Sequence, residues 1–430
     1  MSKFIRRTAD YALIILGPLW VAVAMYFLAQ GEAWALSWNQ VLFNHNPYWL
    51  LLVMPLGFAL IRYATMKLAP QAGGSGIPQV MAVIHMGRVR SMLKTFVSPF
   101  QALIKTVMVI LGMLCGASIG REGPAVQIGA AIMTGWSMNA VRRVRIDPRT
   151  LAIIGGAAGL ASAFTTPLAG AMYAFEELGS RRYFRHRGFA VLCIVLSAWA
   201  SYRFFEGYSP LALNVPVPGL PMAGLLIAEC IFCGLLAGAM TWIMAIGLPK
   251  WLPATKTPFH AALLAGSVGL VLAVLAIACQ GLTLGSGNGI AYQMLNLDPA
   301  YANLEGFGLM KWLSTTLSFA TGIPGGILAP SLSIGAGLGQ DLSLYFGDGN
   351  DRVFLIAAGM AAFLAGVIQA PLTATLVVVE MTGMYDHILA MLVMSFLANW
   401  SARLLCRVSM YETLMLRLIP AAPPGPVVSK

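Results

Sequence analysis

Ten apolar stretches follow one another along this sequence, and they leave little room for any other kind of structure. Each is long enough, or nearly long enough, for a helix that crosses roughly 30 Å of hydrocarbon, which takes about 20 residues. The stretches are 11–29, 49–60, 96–118, 151–175, 188–200, 222–248, 261–282, 309–337, 353–379 and 388–405. Because 58% of the 430 residues are hydrophobic and only 10% are charged, far from the balance of soluble domains, we predict an all-α integral membrane protein.

Many of these stretches are interrupted by small or helix-breaking residues, and the chain contains 45 glycines and 24 prolines. In lipid, a broken helix is tolerated only where protein or water satisfies the freed backbone groups. We therefore expect tilted and broken helices around a lined cavity. The first stretch, 11–29, is longer than the apolar core of a signal peptide and precedes a poor cleavage site, "QGEAW", so we interpret it as a membrane segment.

The net charge of +11 comes mostly from short basic clusters between the apolar stretches. They flank membrane segments and do not form one aromatic-laced face, which argues against nucleic-acid binding. We predict a multi-pass protein of the cell inner (plasma) membrane, and the positive-inside rule predicts that the N-terminus and the cluster at 181–187 lie in the cytoplasm. The clusters are Lys3/Arg6/Arg7, Arg88/Arg90/Lys94, Arg142/Arg143/Arg145/Arg149, Arg181/Arg182/Arg185/Arg187 and Arg403/Arg407.

The residues that usually build enzyme or metal sites are scattered. Cys230 and Cys233 form a C-x-x-C spacing without a second pair or a nearby histidine, so we predict buried thiols. The histidines form no H-E-x-x-H cluster, and "GGSGIPQ" lacks the Lys-Ser/Thr of a phosphate-binding loop. An intramembrane hydrolase that uses Ser75 or an aspartate pair is therefore a weak alternative, and we expect no enzyme, cofactor or metal.

The sequence contains an internal repeat. "GSG" at 74–76 recurs at 285–287, and "PLAGAMYAFE" ending at Glu176 resembles "PLTATLVVVE" ending at Glu380. Four further residues recur 206 positions later: Lys105, Gly120, Pro124 and Gly129 match Lys311, Gly326, Pro330 and Gly335. Three motifs in one order predict a single transport domain, 1–430, of two homologous halves, 11–205 and 216–416, with a short tail at 421–430. Repeat-built transporters bind their ion between the halves, which are inverted or parallel.

Three breaks can start helices: "GGSGIPQV" at 73–80, "GREGPAV" at 120–126 and "GIPGGILAP" at 322–330. Glycine permits the irregular backbone, and proline is acceptable in a first helical turn. A helix N-terminus carries unpaired N–H groups and about half a positive charge. Several N-termini that converge can therefore bind an anion without a full positive charge, which would trap it.

Glu122 places a carboxylate at one predicted helix start. An ionisable residue at membrane depth is functional by default, so we predict that Glu122 occupies the anion site when charged and leaves it when protonated. The alternative is a helix cap that pairs with Arg121. We expect Arg121 to hold carbonyls or a neighbouring helix end, and Lys105 and Lys311 to be scaffold residues of the same kind.

Two further pairs of polar residues have open interpretations. Glu176 and Glu177 precede the basic "GSRRYFRHR", so either can pair with those arginines at the interface, or one can be a proton entry point that relays to Glu122. Ser75 and Tyr411 are neutral hydroxyls that can donate to an anion, although such residues more often serve in packing.

Together these motifs resemble the CLC chloride channel and transporter family of the prokaryotic type, and the likeness covers nearly the whole chain in order. The motifs are "GSGIP" at 74–78, "GREGPAVQIG" at 120–129, "GGAAGLASAF" at 155–164, "PLAGAMYAFEE" at 167–177, "GGILAP" at 325–330 and the tyrosine of "SMYETL". The resemblance implies a homodimer with one anion pore in each subunit, and two inverted halves of tilted helices in each subunit.

The resemblance also implies residue roles. Ser75, Tyr411 and the backbone amides of Ile327 and Leu328 hold a central chloride. Glu122 matches the external gating glutamate, and Glu177 matches the internal proton-transfer glutamate of many exchangers. The residues that support these breaks are Gly74, Gly76, Arg121, Gly123 and Gly326.

The sequence departs from the family pattern at a few positions. Leu328 stands where phenylalanine is typical, Ala125 stands where threonine is frequent, and the ending "AAPPGPVVSK" predicts no C-terminal regulatory domains. Ser75 fits the chloride-preferring pattern, and Tyr411 with an intact "GREGP" argues against the fluoride-exporting branch. Because Glu122 and Glu177 are both present, we predict a proton-coupled chloride antiporter, with a passive voltage- or pH-gated chloride channel as the alternative.

Overall fold

α-Helices account for nearly all of the described protein. The computed structural model describes residues 3–85, 89–144, 146–179, 187–204, 211, 213, 215, 220–248, 257–301, 304–346 and 350–418. Its α-helices are α1 Lys3–His45, α2 Leu50–Leu68, α3 Ile77–His85, α4 Val89–Phe96, α5 Pro99–Leu114, α6 Glu122–Val144, α7 Pro148–Phe164, α8 Pro167–Tyr173, α9 Arg187–Phe204, α10 Leu220–Trp242, α11 Pro258–Ala278, α12 Asn288–Leu295, α13 Phe307–Ala320, α14 Leu328–Phe346, α15 Asn350–Ile368, α16 Pro371–Thr382, α17 Ile388–Leu405 and α18 Met410–Leu418.

By length and composition, seven helical segments within these ranges can cross a membrane. They are Ile14–His45, Pro47–Leu68, Ser91–Leu114, Met222–Gly247, Pro258–Ala278, Asp351–Ile368 and Tyr385–Leu405. The segment Asp351–Ile368 is mostly enclosed by protein, whereas the others expose apolar side chains such as Leu60 and Phe259. The prediction of an all-α, multi-pass membrane protein is confirmed.

Three of the predicted apolar stretches are broken helices. Stretch 151–175 divides into α7 and α8, stretch 309–337 into α13 and α14, and stretch 353–379 into α15 and α16. The first and third breaks share one geometry: Thr165 and Gln369 adopt left-handed φ values of 57° and 55°, and Pro167 and Pro371 then begin the next helix. Proline fits that position because a first-turn N–H has no intrahelical acceptor.

The first membrane segment is longer than the sequence predicts. We expect it to end at residue 29, but α1 continues through "QGEAW" to His45. Glu32 lies within this extension and is buried, with 7% of its surface exposed. It forms an ion pair of 2.9 Å with Arg121. Because the charge is paired inside the protein, it does not end the helix.

The repeat that the sequence predicts is visible in the helix packing. Gly129 of α6 packs against Gly155 of α7, where an added Cβ on Gly129 would lie 2.2 Å from the Gly155 carbonyl oxygen. Gly335 of α14 packs against Gly359 of α15 with the same 2.2 Å spacing. Only glycine permits helices to approach this closely. The half boundaries at 205 and 216, residues 181–186 of the basic cluster and the tail at 421–430 lie outside the described residues.

The breaks of the two halves are joined by backbone hydrogen bonds. The Gly120 and Gly326 amides each donate to the other residue's carbonyl, both at 2.8 Å. Nearby, the Gly74 amide donates to the Ile323 carbonyl at 3.2 Å, and the Gly325 amide donates to the Gly74 carbonyl at 3.1 Å. Three helix starts are thereby held together in the protein interior.

Candidate anion site

Helices begin at each of the three predicted breaks: α3 at Ile77, α6 at Glu122 and α14 at Leu328. The three starts converge. A Cβ added to Gly123 would lie 2.4 Å from the Ser75 hydroxyl oxygen and 3.0 Å from the Gly326 Cα. The first N–H groups of each helix have no intrahelical acceptor. Free donors and the positive ends of three helix dipoles therefore face one small region.

The glycines of these breaks are required by the backbone and by the close approach. Gly74 and Gly76 adopt φ values of 64° and 104°, which disfavour other residues. A Cβ added to Gly76 would lie 2.8 Å from the Lys105 Nζ, and one on Gly326 would lie 2.7 Å from the Gly123 nitrogen. Larger side chains would separate the helix starts.

Three buried polar side chains meet at this region. Ser75 is 2% exposed, and Tyr411 and Glu122 are fully buried. The Tyr411 hydroxyl neighbours both Ser75 and Glu122. Among the described residues, neither hydroxyl and neither Glu122 oxygen has a hydrogen-bond partner of good geometry. Since buried polar groups are almost always paired, this cluster is suited to a ligand that accepts hydrogen bonds.

The start of α14 completes the region. Ile327 and Leu328 are 1% and 2% exposed, and their amides belong to the unpaired first turn. The Glu122 carboxylate approaches the amide of Ala329, which follows Leu328 in α14. The structure thus brings together Ser75, Tyr411, Glu122 and the α14 N-terminus. Leu328 contributes an apolar side chain beside them.

The nearby cations are engaged by other groups. Arg121 pairs with Glu32 and donates to the Ala163 carbonyl at 3.1 Å. Lys105 donates to the Gly74 carbonyl at 3.0 Å. Lys311 donates to the carbonyls of Thr283 at 2.9 Å and Gly285 at 2.6 Å. These cations hold the loops in place, and the donors at the convergence are amides and hydroxyls.

The structure separates the two adjacent glutamates. The Glu176 carboxylate accepts hydrogen bonds from the amides of Leu372 at 3.2 Å and Thr373 at 2.7 Å, which caps the start of α16. Glu380 caps α8 in the matching way, through the amides of Leu168 at 3.0 Å and Ala169 at 2.8 Å. The two halves therefore exchange caps. The sequence motif shows neither partner, because each cap joins one half to the other.

Glu177 has a different environment. It lies in the π-helical turn Ala174–Leu178 that follows α8, and its buried Oε1 has no partner in the part of the chain that the structure describes. It lines a cavity of about 370 Å³ that opens from the protein surface. Other charged or titratable residues of this cavity are His85, Glu176, Arg403, Arg407 and Glu412.

Sequence reasoning missed two residues of this region. Tyr173 is fully buried and interacts electrostatically with both Glu177 and Tyr411, so it belongs to the same buried polar region. Its only sequence signal is its position one helical turn before Glu177. Glu32, the partner of Arg121, is the other. Its signal is an acidic residue directly after an apolar stretch.

The fold and the buried cluster define a class: an all-α, multi-pass membrane protein whose broken helices meet at a potential anion site. A family model described as "Voltage gated chloride channel" matches residues 57–403. The chain belongs to this family.

The relatives and solved structures agree with this assignment. The chain is 30% identical to the H(+)/Cl(-) exchange transporter ClcA of Vibrio campbellii over 392 residues, which covers 87% of this chain and 81% of that protein. The corresponding transporter of Vibrio parahaemolyticus is also 30% identical, over 396 residues, with the same shares covered.

Among solved structures, a slow cyanobacterial Cl-/H+ antiporter superposes with a TM-score of 0.78 at 23% identity, covering 95% of this chain and 97% of that one. A CLC-type fluoride/proton antiporter superposes with a TM-score of 0.76 at 22% identity, covering 96% and 99%. At this level of identity the likeness concerns the fold.

Proposed function

We propose that this protein exchanges chloride for protons across a membrane, and that it is not an enzyme. The observation that carries the proposal is the convergence of three helix N-termini on the side chains of Ser75, Tyr411 and Glu122, which have no hydrogen-bond partner of good geometry among the described residues. The names of the ClcA relatives support chloride and protons as the substrates. They favour exchange over a passive channel.

In this proposal, Ser75, Tyr411 and the amides of Ile327 and Leu328 bind a dehydrated chloride. Dehydration of an isolated ion costs tens of kcal/mol on idealised estimates, and each hydrogen bond to a charged group returns about 1.5–3 kcal/mol. Neutral donors and helix dipoles offset this loss. They also allow the ion to leave, which a bare lysine or arginine in the site would hinder.

Glu122 acts as the gate. Its carboxylate lies at the start of α6 and approaches the start of α14, where a chloride would also bind. The charged carboxylate and the chloride compete for the same donors. When Glu122 is protonated it loses that competition, so chloride entry and proton binding become linked.

Glu177 is the inner proton acceptor. It faces the 370 Å³ cavity and takes protons from the inner solution. Tyr173 lies next to it and next to Tyr411, so hydroxyls and water between them form a route toward Glu122. Chloride binds at Tyr411 itself, and the two substrates therefore share the central part of the pathway.

The assembly and the location belong to the same proposal. We infer a homodimer with one pathway per subunit, in the lipid bilayer of the cell inner (plasma) membrane, with the N-terminus in the cytoplasm. We infer no cofactor, and we count chloride as a substrate. Light scattering of the purified protein in detergent tests the dimer, and accessibility of a cysteine introduced at Ser2 tests the orientation.

The transport experiment uses purified protein in chloride-loaded liposomes in chloride-poor buffer. Outward chloride flow should drive protons inward against their gradient, measured with an internal pH dye and an external chloride electrode. Protein-free liposomes are the control. Chloride flow without proton movement would support a passive channel and contradict the exchanger.

A further inference from the structure

The two "GSG" loops have the same scaffold. Ser75 precedes α3, and Ser286 precedes α12. A buried lysine donates a hydrogen bond to the first glycine of each loop: Lys105 to the Gly74 carbonyl at 3.0 Å, and Lys311 to the Gly285 carbonyl at 2.6 Å. The second loop therefore has the backbone form of the loop that we assign to chloride.

The two serine hydroxyls differ in what they contact. Within the ranges that the structure describes, the Ser75 hydroxyl has only the Tyr411 hydroxyl as a neighbour, without good hydrogen-bond geometry. The Ser286 hydroxyl donates to Glu32 Oε1 at 3.0 Å. The other oxygen, Glu32 Oε2, lies 2.9 Å from Arg121 Nη1. A carboxylate thus stands at the second serine, in the position that a free anion would take at the first.

The environment of Glu32 is that of a bound anion. Ser286 is 1% exposed and Glu32 is 7% exposed, so a hydroxyl and a guanidinium hold a nearly dehydrated negative charge. Charge-assisted hydrogen bonds of this kind also bind small free anions. Glu122 follows Arg121 in the chain and interacts electrostatically with Glu32, so this charge lies beside the proposed gate.

We propose that Glu32 is a tethered anion that fills a second anion site, formed by Ser286 and Arg121, and excludes mobile halide from it. The ligand class of the unfilled site is a small monovalent anion. Glu32 neutralises Arg121, which would otherwise place a full positive charge beside the gate and retain chloride there. Only the Ser75 site is then left for exchange.

Bromide provides a direct test, because its anomalous scattering locates it in crystals. The Glu32→Ala variant crystallised in bromide should show an extra peak between the Ser286 hydroxyl and the Arg121 guanidinium. The wild-type protein in the same bromide concentration should show none there. A variant map with ordered Ser286 and Arg121 but no extra peak would overturn the proposal, as would a wild-type peak at that place.

A second measurement covers the case in which the alanine variant does not fold. Glu32→Ser keeps a short polar side chain but removes the carboxylate, and it leaves the space between Ser286 and Arg121 open. A ligand that binds only the folded state raises its stability with ligand concentration. The unfolding temperature of Glu32→Ser should therefore rise more steeply with chloride concentration than that of the wild type. Equal slopes would contradict the proposal.

Matched double variants assign the extra ion to its residues. Adding Ser286→Ala to Glu32→Ala should weaken the extra bromide peak, whereas adding Ser75→Ala should leave it. The reverse pattern would place the ion at the Ser75 site and overturn the proposal. All of these measurements are made at equilibrium without transport, so their failure is distinguishable from failure of the proposed exchange function.

Discussion

Position 122 in the first half is a glutamate, whereas the matching position in the second half, 328, is a leucine. Glu177 likewise matches Met381. The scaffold residues, in contrast, are kept in both halves. Matched contacts are made by Lys105 and Lys311, by Glu176 and Glu380, and by Gly155 and Gly359. The repeat builds a symmetric frame, and carboxylates present in only one half give that frame its proposed chemistry.

The largest expected effect comes from the frame itself. Gly155→Val and Gly359→Val each place a Cβ close to a carbonyl of the partner helix, 2.4 Å from Gly129 O and 2.3 Å from Gly335 O. Backbone cannot yield to this contact, so we expect a loss at the upper end of about 1–3 kcal/mol and poor recovery of folded protein. Thermal unfolding in detergent measures it.

Equal damage from the two valine variants is the important outcome. If only one of them destabilised the protein, the helix crossings would not be equivalent and the symmetric frame would be wrong. Gly224→Ala is the control, since no described atom beyond its own helix backbone and chain neighbours lies within 4 Å of the added Cβ.

Glu122→Gln tests the asymmetric chemistry. The neutral amide cannot bind and release a proton, so proton movement should fall to the background of empty liposomes while chloride still flows. Parallel pH and chloride recordings measure the ratio. The exposed residue Glu305 provides the control Glu305→Gln, which should keep the wild-type ratio. Wild-type coupling in Glu122→Gln would remove this residue from the mechanism.

Glu177→Gln should also stop protons, because it replaces the inner carboxylate, whose Oε1 has no partner among the residues that the structure describes, and chloride flow should persist. The neighbouring variant Glu176→Gln is a sharp control, since that side chain lines the same cavity but its carboxylate accepts hydrogen bonds from the first turn of α16. If Glu176→Gln uncoupled the protein and Glu177→Gln did not, the two assignments would be exchanged.

Tyr173→Phe removes one hydroxyl from the proposed route and preserves the packing of the ring. If the lost hydrogen bond raises the barrier to proton transfer by about 1 kcal/mol, the proton flux should be roughly fivefold slower. The chloride flux should be retained. Tyr385→Phe, at an exposed tyrosine, is the matched control. An unchanged proton rate in Tyr173→Phe would mean that water alone connects Glu177 to the centre.

The exchanged caps should affect transport least of all. Glu176→Ala and Glu380→Ala each remove a carboxylate from a helix start, and we expect about 1–2 kcal/mol of lost stability from each. The coupling ratio should stay at its wild-type value in both. Thermal unfolding measures the loss, and strongly unequal losses would show that the two caps are not equivalent.

Local sequence predicted much of the frame. Glycine and proline determine backbone form within a few residues, so the helix starts at Ile77, Glu122 and Leu328 could be predicted from "GSGIP", "GREGP" and "GGILAP". The repeat also identified Lys105 and Lys311 as a matched pair. Their acceptors, carbonyls of the two "GSG" loops, follow from the same alignment.

Contacts between distant segments could not be predicted. α1 extends past residue 29 because Glu32 meets Arg121, and nothing near Glu32 in the sequence indicates that partner. Glu176 caps α16 and Glu177 does not, and this difference depends on the position of the α16 N-terminus in the fold. Tyr173 belongs to an apolar run in which a buried ring needs no functional explanation. The roles of Glu122, Glu177, Ser75 and Tyr411 remain predictions that the variants above test.

The paired amides of Gly120 and Gly326, with those of Gly74 and Gly325, have a consequence for motion. Four backbone hydrogen bonds join the halves beside the proposed anion site. Many repeat-built carriers work by rocking one half against the other. Here that rotation would break all four hydrogen bonds, and each contributes about 0.5–1.5 kcal/mol to stability. We therefore expect a stationary hub, in which a swinging side chain opens the way to one solution and then to the other.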